Sequence, residues 1–166
     1  MKINSDFKDL LRDLNAAGVR YLIVGGYAVM VHTEPRYTKD LDLWIEPTES
    51  NARGLLDALA RFGAPTKDVR AADFVEPEVF FQIGVDPVRI DIMTSVPGLD
   101  FGSAWNRKIL VNFGGESAPV LCRRTCCKPN LPLAACATKR MSRDRRSKPA
   151  QRLAPGARVH SKIEPP

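Results

Sequence analysis

The chain has 166 residues, of which 44% are hydrophobic, and its formal net charge is +6. This length suits one domain with a hydrophobic core and is too short for two domains of ordinary size. The sequence has no run of about 18 apolar residues, as a membrane-spanning helix needs, and its charged N-terminus lacks the apolar stretch of a secretory signal. We therefore expect a cytoplasmic protein with no membrane partner.

The positive charge is confined to the C-terminal part of the sequence. From Pro119 onward there are 12 Lys and Arg against two acidic residues, a net +10, so the first 118 residues hold 13 basic and 17 acidic groups, a net −4. Every aromatic residue precedes Pro119, and all four cysteines follow it. A segment without aromatic residues cannot bury enough apolar surface to offset its ordering entropy. The sequence predicts a folded domain over residues 1–120 and a disordered basic tail over 121–166.

The first predicted unit is a helix, a strand, a glycine turn and a second helix. Apolar residues recur at helical spacing over residues 6–18, and Ser5 can cap that helix. The apolar run 19–24 predicts a buried strand that ends at Gly25 and Gly26, after which a short helix resumes.

Residues 38–45 alternate polar and apolar side chains, which is typical of a strand. Such a strand places Asp40 and Asp42 together on one face. Its other face, toward the core, carries Leu41, Leu43 and Ile45.

The second half predicts a helix up to Gly63, a loop over residues 64–78, and a hairpin of two strands over 79–85 and 88–94. Asp91 projects from the second of these strands on the face opposite its two isoleucines. A short helix and a last strand pair complete the domain. Helices and strands alternate, so we expect an α/β or α+β fold with a small mixed sheet flanked by helices.

The aspartates are the candidate chemical groups. Two aspartates two residues apart on a strand emerge about 6 to 7 Å apart and can hold a divalent cation, although an isolated pair is more often a solvated strand face. Asp91, among isoleucines, needs either water or a partner. At Gly25 and Gly26, free amides and a helix dipole favour phosphate, although a glycine pair can equally be a tight turn.

Three further residues near these motifs are weaker candidates. Arg36 and Lys39 offer cations to phosphate oxygens, although basic residues beside acidic ones are also ordinary surface pairs. His32 is either structural or a contact to a nucleobase.

The order V-G-G-Y-A, then R-x-T-K-D-L-D-L, then R-I-D-I resembles the nucleotidyltransferase superfamily that includes DNA polymerase beta. More narrowly, it resembles the small bacterial branch grouped with the AbiEii-type toxin nucleotidyltransferases, over residues 5–95. The resemblance implies a nucleotidyltransferase fold and a two-metal phosphoryl transfer. It assigns the ligands of Mg²⁺, or of Mn²⁺ as an alternative, and the catalytic role to Asp40, Asp42 and Asp91.

The same resemblance implies a nucleoside triphosphate substrate, contacted by Gly25 and Gly26 through backbone N–H groups and by Arg36 and Lys39 through charge. The resemblance also implies that Asp91 helps to deprotonate the acceptor hydroxyl. The resemblance to toxin enzymes implies RNA as the acceptor, with tRNA as the first choice, and a protein or a small molecule stays open as an alternative. A toxin of this branch also implies a cognate antitoxin protein as partner.

The tail allows several interpretations. Its cysteines lack the paired spacing of a zinc site, and disulfides are rare in cytosolic proteins; they are Cys122, Cys126, Cys127 and Cys136. The basic stretch 140–148 is either a phosphate-binding arm or solvated disorder. A third hypothesis is a shifted reading frame, because back-translated codons read two nucleotides later can give an amphipathic helix that resembles the family's C-terminal helix.

Two other functions stay open at this point. One is a catalytically impaired homologue that binds nucleotide or a partner protein, which a lost C-terminal helix favours and the surviving carboxylates oppose. The other is a protein that only binds nucleic acid through the basic tail, which explains neither the carboxylates nor the acidic body.

Overall fold

The structure, a computed structural model, describes residues 3–33, 38–85 and 88–122. Helices and strands alternate along the chain, which confirms the predicted α/β class. The elements in chain order are α1 (Ser5–Ala16), β1 (Tyr21–Ile23), α2 (Gly25–His32), β2 (Asp40–Ile45), α3 (Glu49–Phe62), a short 3-10 helix (Ala71–Phe74), β3 (Phe80–Val85), β4 (Val88–Met93), α4 (Phe101–Asn106), β5 (Ile109–Phe113) and β6 (Glu116–Val120).

The six strands form one mixed sheet in the order β3-β4-β2-β1-β6-β5. β2 is parallel to β4 and antiparallel to β1, and β1 is parallel to β6. β3 with β4 and β5 with β6 are antiparallel pairs, and they correspond to the predicted hairpin and the predicted last strand pair. The topology therefore makes neighbours of β2 and β4, which are far apart in the sequence.

α1 and α3 cover one face of the sheet. Their apolar side chains form a single buried cluster with the apolar face of β2. The core face that the alternation of residues 38–45 predicts is thus confirmed, since Leu41, Leu43 and Ile45 are all in this cluster.

The cap of α1 differs from the prediction. The residue before the helix is Asn4, and its Oδ1 accepts a hydrogen bond of 2.8 Å from the backbone N–H of Asp6. Ser5 is the first helical residue instead of the cap. The sequence offers two adjacent capping residues, and the local pattern does not choose between them.

α4 covers part of the other face. Its Phe101 packs edge-to-face on Trp44 of β2, with ring centroids 5.1 Å apart, in a second buried cluster that also contains Met93 of β4. Trp44 and Met93 lie two residues beyond Asp42 and Asp91 along their strands. The second cluster therefore covers one end of this face, and the aspartates lie at the other end.

The loop predicted over residues 64–78 contains the 3-10 helix. Phe74 of that helix is buried and packs edge-to-face on Phe81 of β3, with ring centroids 5.6 Å apart. A single aromatic anchor has no periodicity, so the sequence pattern does not predict it.

No helix within the described ranges is long and apolar enough to cross a membrane. Of the predicted tail, the structure describes only Leu121 and Cys122. The predicted disorder of the tail and most of its cysteines therefore lie outside the described residues, and the domain boundary near residue 120 stays a prediction.

Candidate active site

The aspartates that the sequence places on separate strands lie side by side in the sheet. β2 and β4 pair in a parallel register that sets Asp42 opposite Asp91 and Asp40 opposite Arg89. Partners on adjacent strands are about 4.8 Å apart, and their side chains share a face. The structure thus brings all three predicted carboxylates together on one face.

The two central carboxylates are almost fully buried. Asp42 is 2% exposed and Asp91 is 4% exposed. Burial raises the pKa of Asp91 to about 6. The positive charge of Arg89 lowers this pKa, the negative charge of Asp40 raises it, and the Gln82 side chain lowers it. An ionised carboxylate in such a place is costly unless a cation lies against it.

Arg89 is one such cation, and sequence reasoning missed its role. Its Nη2 lies 2.8 Å from Oδ2 of Asp40, and its Nε lies 3.2 Å from Oδ1 of Asp91. The alternation of residues 88–94 places Arg89 on the same face as Asp91. Residues two apart in a strand lie on the same face, and this spacing could have indicated an ion pair between Arg89 and Asp91.

Arg89 does not satisfy all of the carboxylate oxygens. Within the described ranges, Oδ1 of Asp40, Oδ1 of Asp91 and Nε of Arg89 are buried without a hydrogen-bond partner. The 3.2 Å contact between Nε and Oδ1 is therefore an ion pair that lacks the alignment of a hydrogen bond. Buried acceptors without donors destabilise a fold by about 1–3 kcal/mol each, which a bound cation would relieve.

α2 begins directly beside Asp42. Gly25 has a φ of +62°, and a Cβ at this position would lie 1.9 Å from Oδ2 of Asp42. A Cβ on Gly26 would lie 2.6 Å from Oγ1 of Thr38. The glycines are thus the first two residues of α2 instead of a turn before it. Their lack of side chains brings the positive end of the helix dipole against the carboxylates.

The comparisons with known proteins concern the fold. No family model and no curated protein matches the sequence. Among solved structures, the chain is similar to a putative nucleotidyltransferase from Thermotoga maritima, with a TM-score of 0.52 and 19% identity over 71% of this chain and 76% of that one. The chain has a nucleotidyltransferase fold. At 19% identity the likeness concerns the fold alone.

Within this nucleotidyltransferase fold, the remaining predicted residues are less central. Lys39 is exposed just before β2. Arg36 lies outside the described residues. Nε2 of His32 lies 2.8 Å from the backbone oxygen of Leu121. A carbonyl can only accept, so this nitrogen donates, and the contact favours the structural alternative for His32.

The carboxylate cluster fits a hard divalent cation by its chemistry, although the ligands are not arranged around a metal position. Among the described residues, no group of three or more His, Cys, Asp or Glu side chains is placed to hold a metal ion. The donors are nevertheless all oxygens, as Mg²⁺ prefers. Two of them come from in-register aspartates, and two buried oxygens lack a donor within the described part of the chain.

Proposed function

We propose that the protein is a metal-dependent nucleotidyltransferase that moves a nucleoside monophosphate from a nucleoside triphosphate to an acceptor hydroxyl. The observation that carries this proposal is the buried pair of Asp42 and Asp91, in register on neighbouring strands and beside the N-terminus of α2. The fold shared with the Thermotoga maritima protein supports the general class.

Each part of the site has a role in this proposal. Asp42 and Asp91, together with Asp40, would hold divalent cations. When bound there, Mg²⁺, or Mn²⁺ as an alternative, would supply Lewis-acid chemistry against the negative charge of the triphosphate and the pyrophosphate. The backbone N–H groups of Gly25 and Gly26 bind phosphate oxygens at the positive end of α2.

The transfer itself forms one bond and breaks one. The acceptor oxygen bonds to the α-phosphorus while the bond from that phosphorus to the pyrophosphate oxygen breaks, and Asp91 accepts the acceptor's proton. With a pKa of about 6, Asp91 is mostly ionised at neutral pH, so it can accept a proton there. Arg89 orients Asp40 and Asp91 through its two ion pairs. Lys39 and Arg36 neutralise charge on the leaving pyrophosphate.

The finer assignment is to the AbiEii-type toxin branch. The support is the resemblance of the three motifs, V-G-G-Y-A, R-x-T-K-D-L-D-L and R-I-D-I. This assignment makes RNA, and tRNA first, the acceptor and a cognate antitoxin the protein partner. A protein or small-molecule acceptor is the competing outcome, which the identity of the labelled product decides.

The test is Mg²⁺-dependent transfer from α-³²P-labelled nucleoside triphosphates to total RNA. Asp42→Asn should lower labelling by about 100-fold or more, because the variant loses a charged metal ligand. Asp57→Asn, which changes an exposed acid on α3, is the matched control and should label like the wild type. Equal labelling by all three proteins would contradict the proposal.

A catalytically impaired homologue that binds nucleotide or a partner protein is the second candidate. The observation that favours it is Arg89, which pairs with two of the three carboxylates without a metal. Measuring the affinity for the triphosphate separately from turnover distinguishes the two candidates, since tight Mg²⁺-dependent binding without transfer fits only the second.

A further inference from the structure

The edge strand β3 forms the outer flank of the carboxylate site. It pairs with β4 so that Gln82 lies opposite Asp91 and Phe80 lies opposite Met93. Residues in such positions share a face, so the side chains of Phe80 and Gln82 lie on the same face as the carboxylates. The inner flank is α2, with Gly25 against Asp42. If the triphosphate binds at α2, the acceptor must approach from the side of β3.

Phe80 is a feature that the packing of the fold does not explain. It is 47% exposed and is the one aromatic residue among the exposed large apolar side chains of the described residues. Its diagonal separation from Asp91 across the strand pair is about 7 to 8 Å at the backbone, within reach of an aromatic side chain. An exposed ring at this distance is a stacking platform for a planar group whose hydroxyl lies at Asp91.

Gln82 links this platform to the carboxylates. Its side chain is exposed, and Gln82 lies directly opposite Asp91 in the strand pair. A carboxamide has two N–H donors and one carbonyl acceptor, so Gln82 can hold Asp91 and meet the hydrogen-bonding edge of a second group at the same time. A ring platform beside an amide is the chemistry that proteins use for an unpaired nucleobase.

We propose that Phe80 and Gln82 form the acceptor subsite and that this subsite takes the nucleobase at the end of an RNA strand. Phe80 stacks on the base, Gln82 contacts its edge, and a ribose hydroxyl reaches Asp91. A peptide added to the edge of β3 would use backbone groups in the plane of the sheet, whereas Phe80 and Gln82 project from its face. This inference rests on the proposed function, because it assumes that the triphosphate lies at α2.

The test compares two single-stranded probes in the presence of Mg²⁺ and a non-hydrolysable triphosphate analogue. One is octaadenylate, and the other is an abasic octamer with the same number of phosphates. The wild type should bind octaadenylate about 5- to 150-fold more tightly, which is the range of one stacked base. The basic tail attracts both probes through their phosphates, so the difference between the two affinities isolates base contacts.

Phe80→Ala should remove most of this difference and leave the affinity for the abasic octamer unchanged. The matched control is Leu110→Ala, on β5 at the opposite edge of the sheet, since Leu110 is 68% exposed and remote from the carboxylates in the strand order. Gln82→Leu should weaken octaadenylate binding by about 2- to 10-fold, as the loss of one hydrogen bond predicts.

Equal wild-type affinity for the two octamers, or an equal loss in Phe80→Ala and Leu110→Ala, would overturn the subsite. If Phe80→Ala weakens the binding of free adenosine as strongly as it weakens the binding of octaadenylate, Phe80 is a stacking site for nucleosides. That result would overturn the assignment to the end of an RNA strand. Binding of the triphosphate analogue alone is measured first. Its absence contradicts the proposed function, whereas intact analogue binding without a base preference contradicts only the subsite.

Discussion

Asp91 occupies a position that stability alone does not favour. Its carboxylate is buried between Asp42 and Gln82, and its pKa of about 6 lies above the ordinary value of 3.8. A raised acid pKa means that the folded state binds the proton more tightly than the unfolded state does. The tighter binding of the proton by Asp91 therefore contributes to the free energy of unfolding. This contribution is fully present below the unfolded pKa and is lost as the pH rises through about 6.

Asp91→Asn is expected to stabilise the fold at pH 7.5, because the variant removes a buried charge. The increase in unfolding free energy is at most about 3 kcal/mol, the equivalent of roughly two pKa units, and it should shrink at pH 5. Denaturant unfolding at both pH values measures it, with Asp57→Asn as the control. A destabilised variant at pH 7.5, or a gain that does not depend on pH, would contradict this explanation.

Gly25 tests the close approach of α2 to the carboxylates. Gly25→Ala forces a side chain onto Oδ2 of Asp42, whereas Gly63→Ala also changes a glycine with positive φ but meets no atom within 4 Å. We expect Gly63→Ala to cost about 1–2 kcal/mol of strain and Gly25→Ala at least about 1 kcal/mol more, because the neighbouring atoms must shift. Thermal unfolding of the two variants measures this, and equal costs would rule out the close contact.

At the scale of elements, the sequence predicts what depends on local periodicity. Alternation along β2 and β4 predicts which side of each strand carries the aspartates, because side-chain direction repeats every two residues. It does not predict that Asp42 lies opposite Asp91, because α3, the 3-10 helix and β3 separate the two strands in the sequence and tertiary packing sets their register. The sequence therefore predicts the site residues as candidates, and the fold brings them together.

Other features escape prediction for related reasons. The ion pairs of Arg89 depend on that same register, and the close contact of Gly25 with Asp42 depends on where α2 meets β2. Phe74 anchors a segment that has no periodic pattern. Each of these features comes from contacts between elements, so a single sequence pattern carries little information about it.

Thr94, which follows β4, is hydrogen-bonded to the segment before β3. Its Oγ1 accepts a 2.9 Å hydrogen bond from the backbone N–H of Val79 and donates one of 2.9 Å to the backbone oxygen of Glu76. Thr94→Val removes both hydrogen bonds and should cost about 1–3 kcal/mol, while Thr94→Ser keeps the hydroxyl and should cost less. Equal unfolding free energies for the two variants would contradict this role.

At the scale of the whole molecule, the charge is divided between an acidic body and a basic tail. The first 118 residues carry a net −4 and the rest a net +10. The tail hypotheses concern residues outside the described ranges. Resequencing the gene decides between a genuine tail and a shifted frame, and an unchanged frame across residues 121–166 would retire the second.

The central claim is that Asp42 and its neighbours form a metal-dependent triphosphate site. Isothermal titration of a non-hydrolysable nucleoside triphosphate analogue, with Mg²⁺ and then with a chelator, tests it most directly in the wild type, Asp42→Asn and Asp57→Asn. We predict Mg²⁺-dependent binding by the wild type and Asp57→Asn, and at least about 10-fold weaker binding by Asp42→Asn. Binding by Asp42→Asn as tight as that of the wild type, or binding that persists after chelation, would contradict the claim.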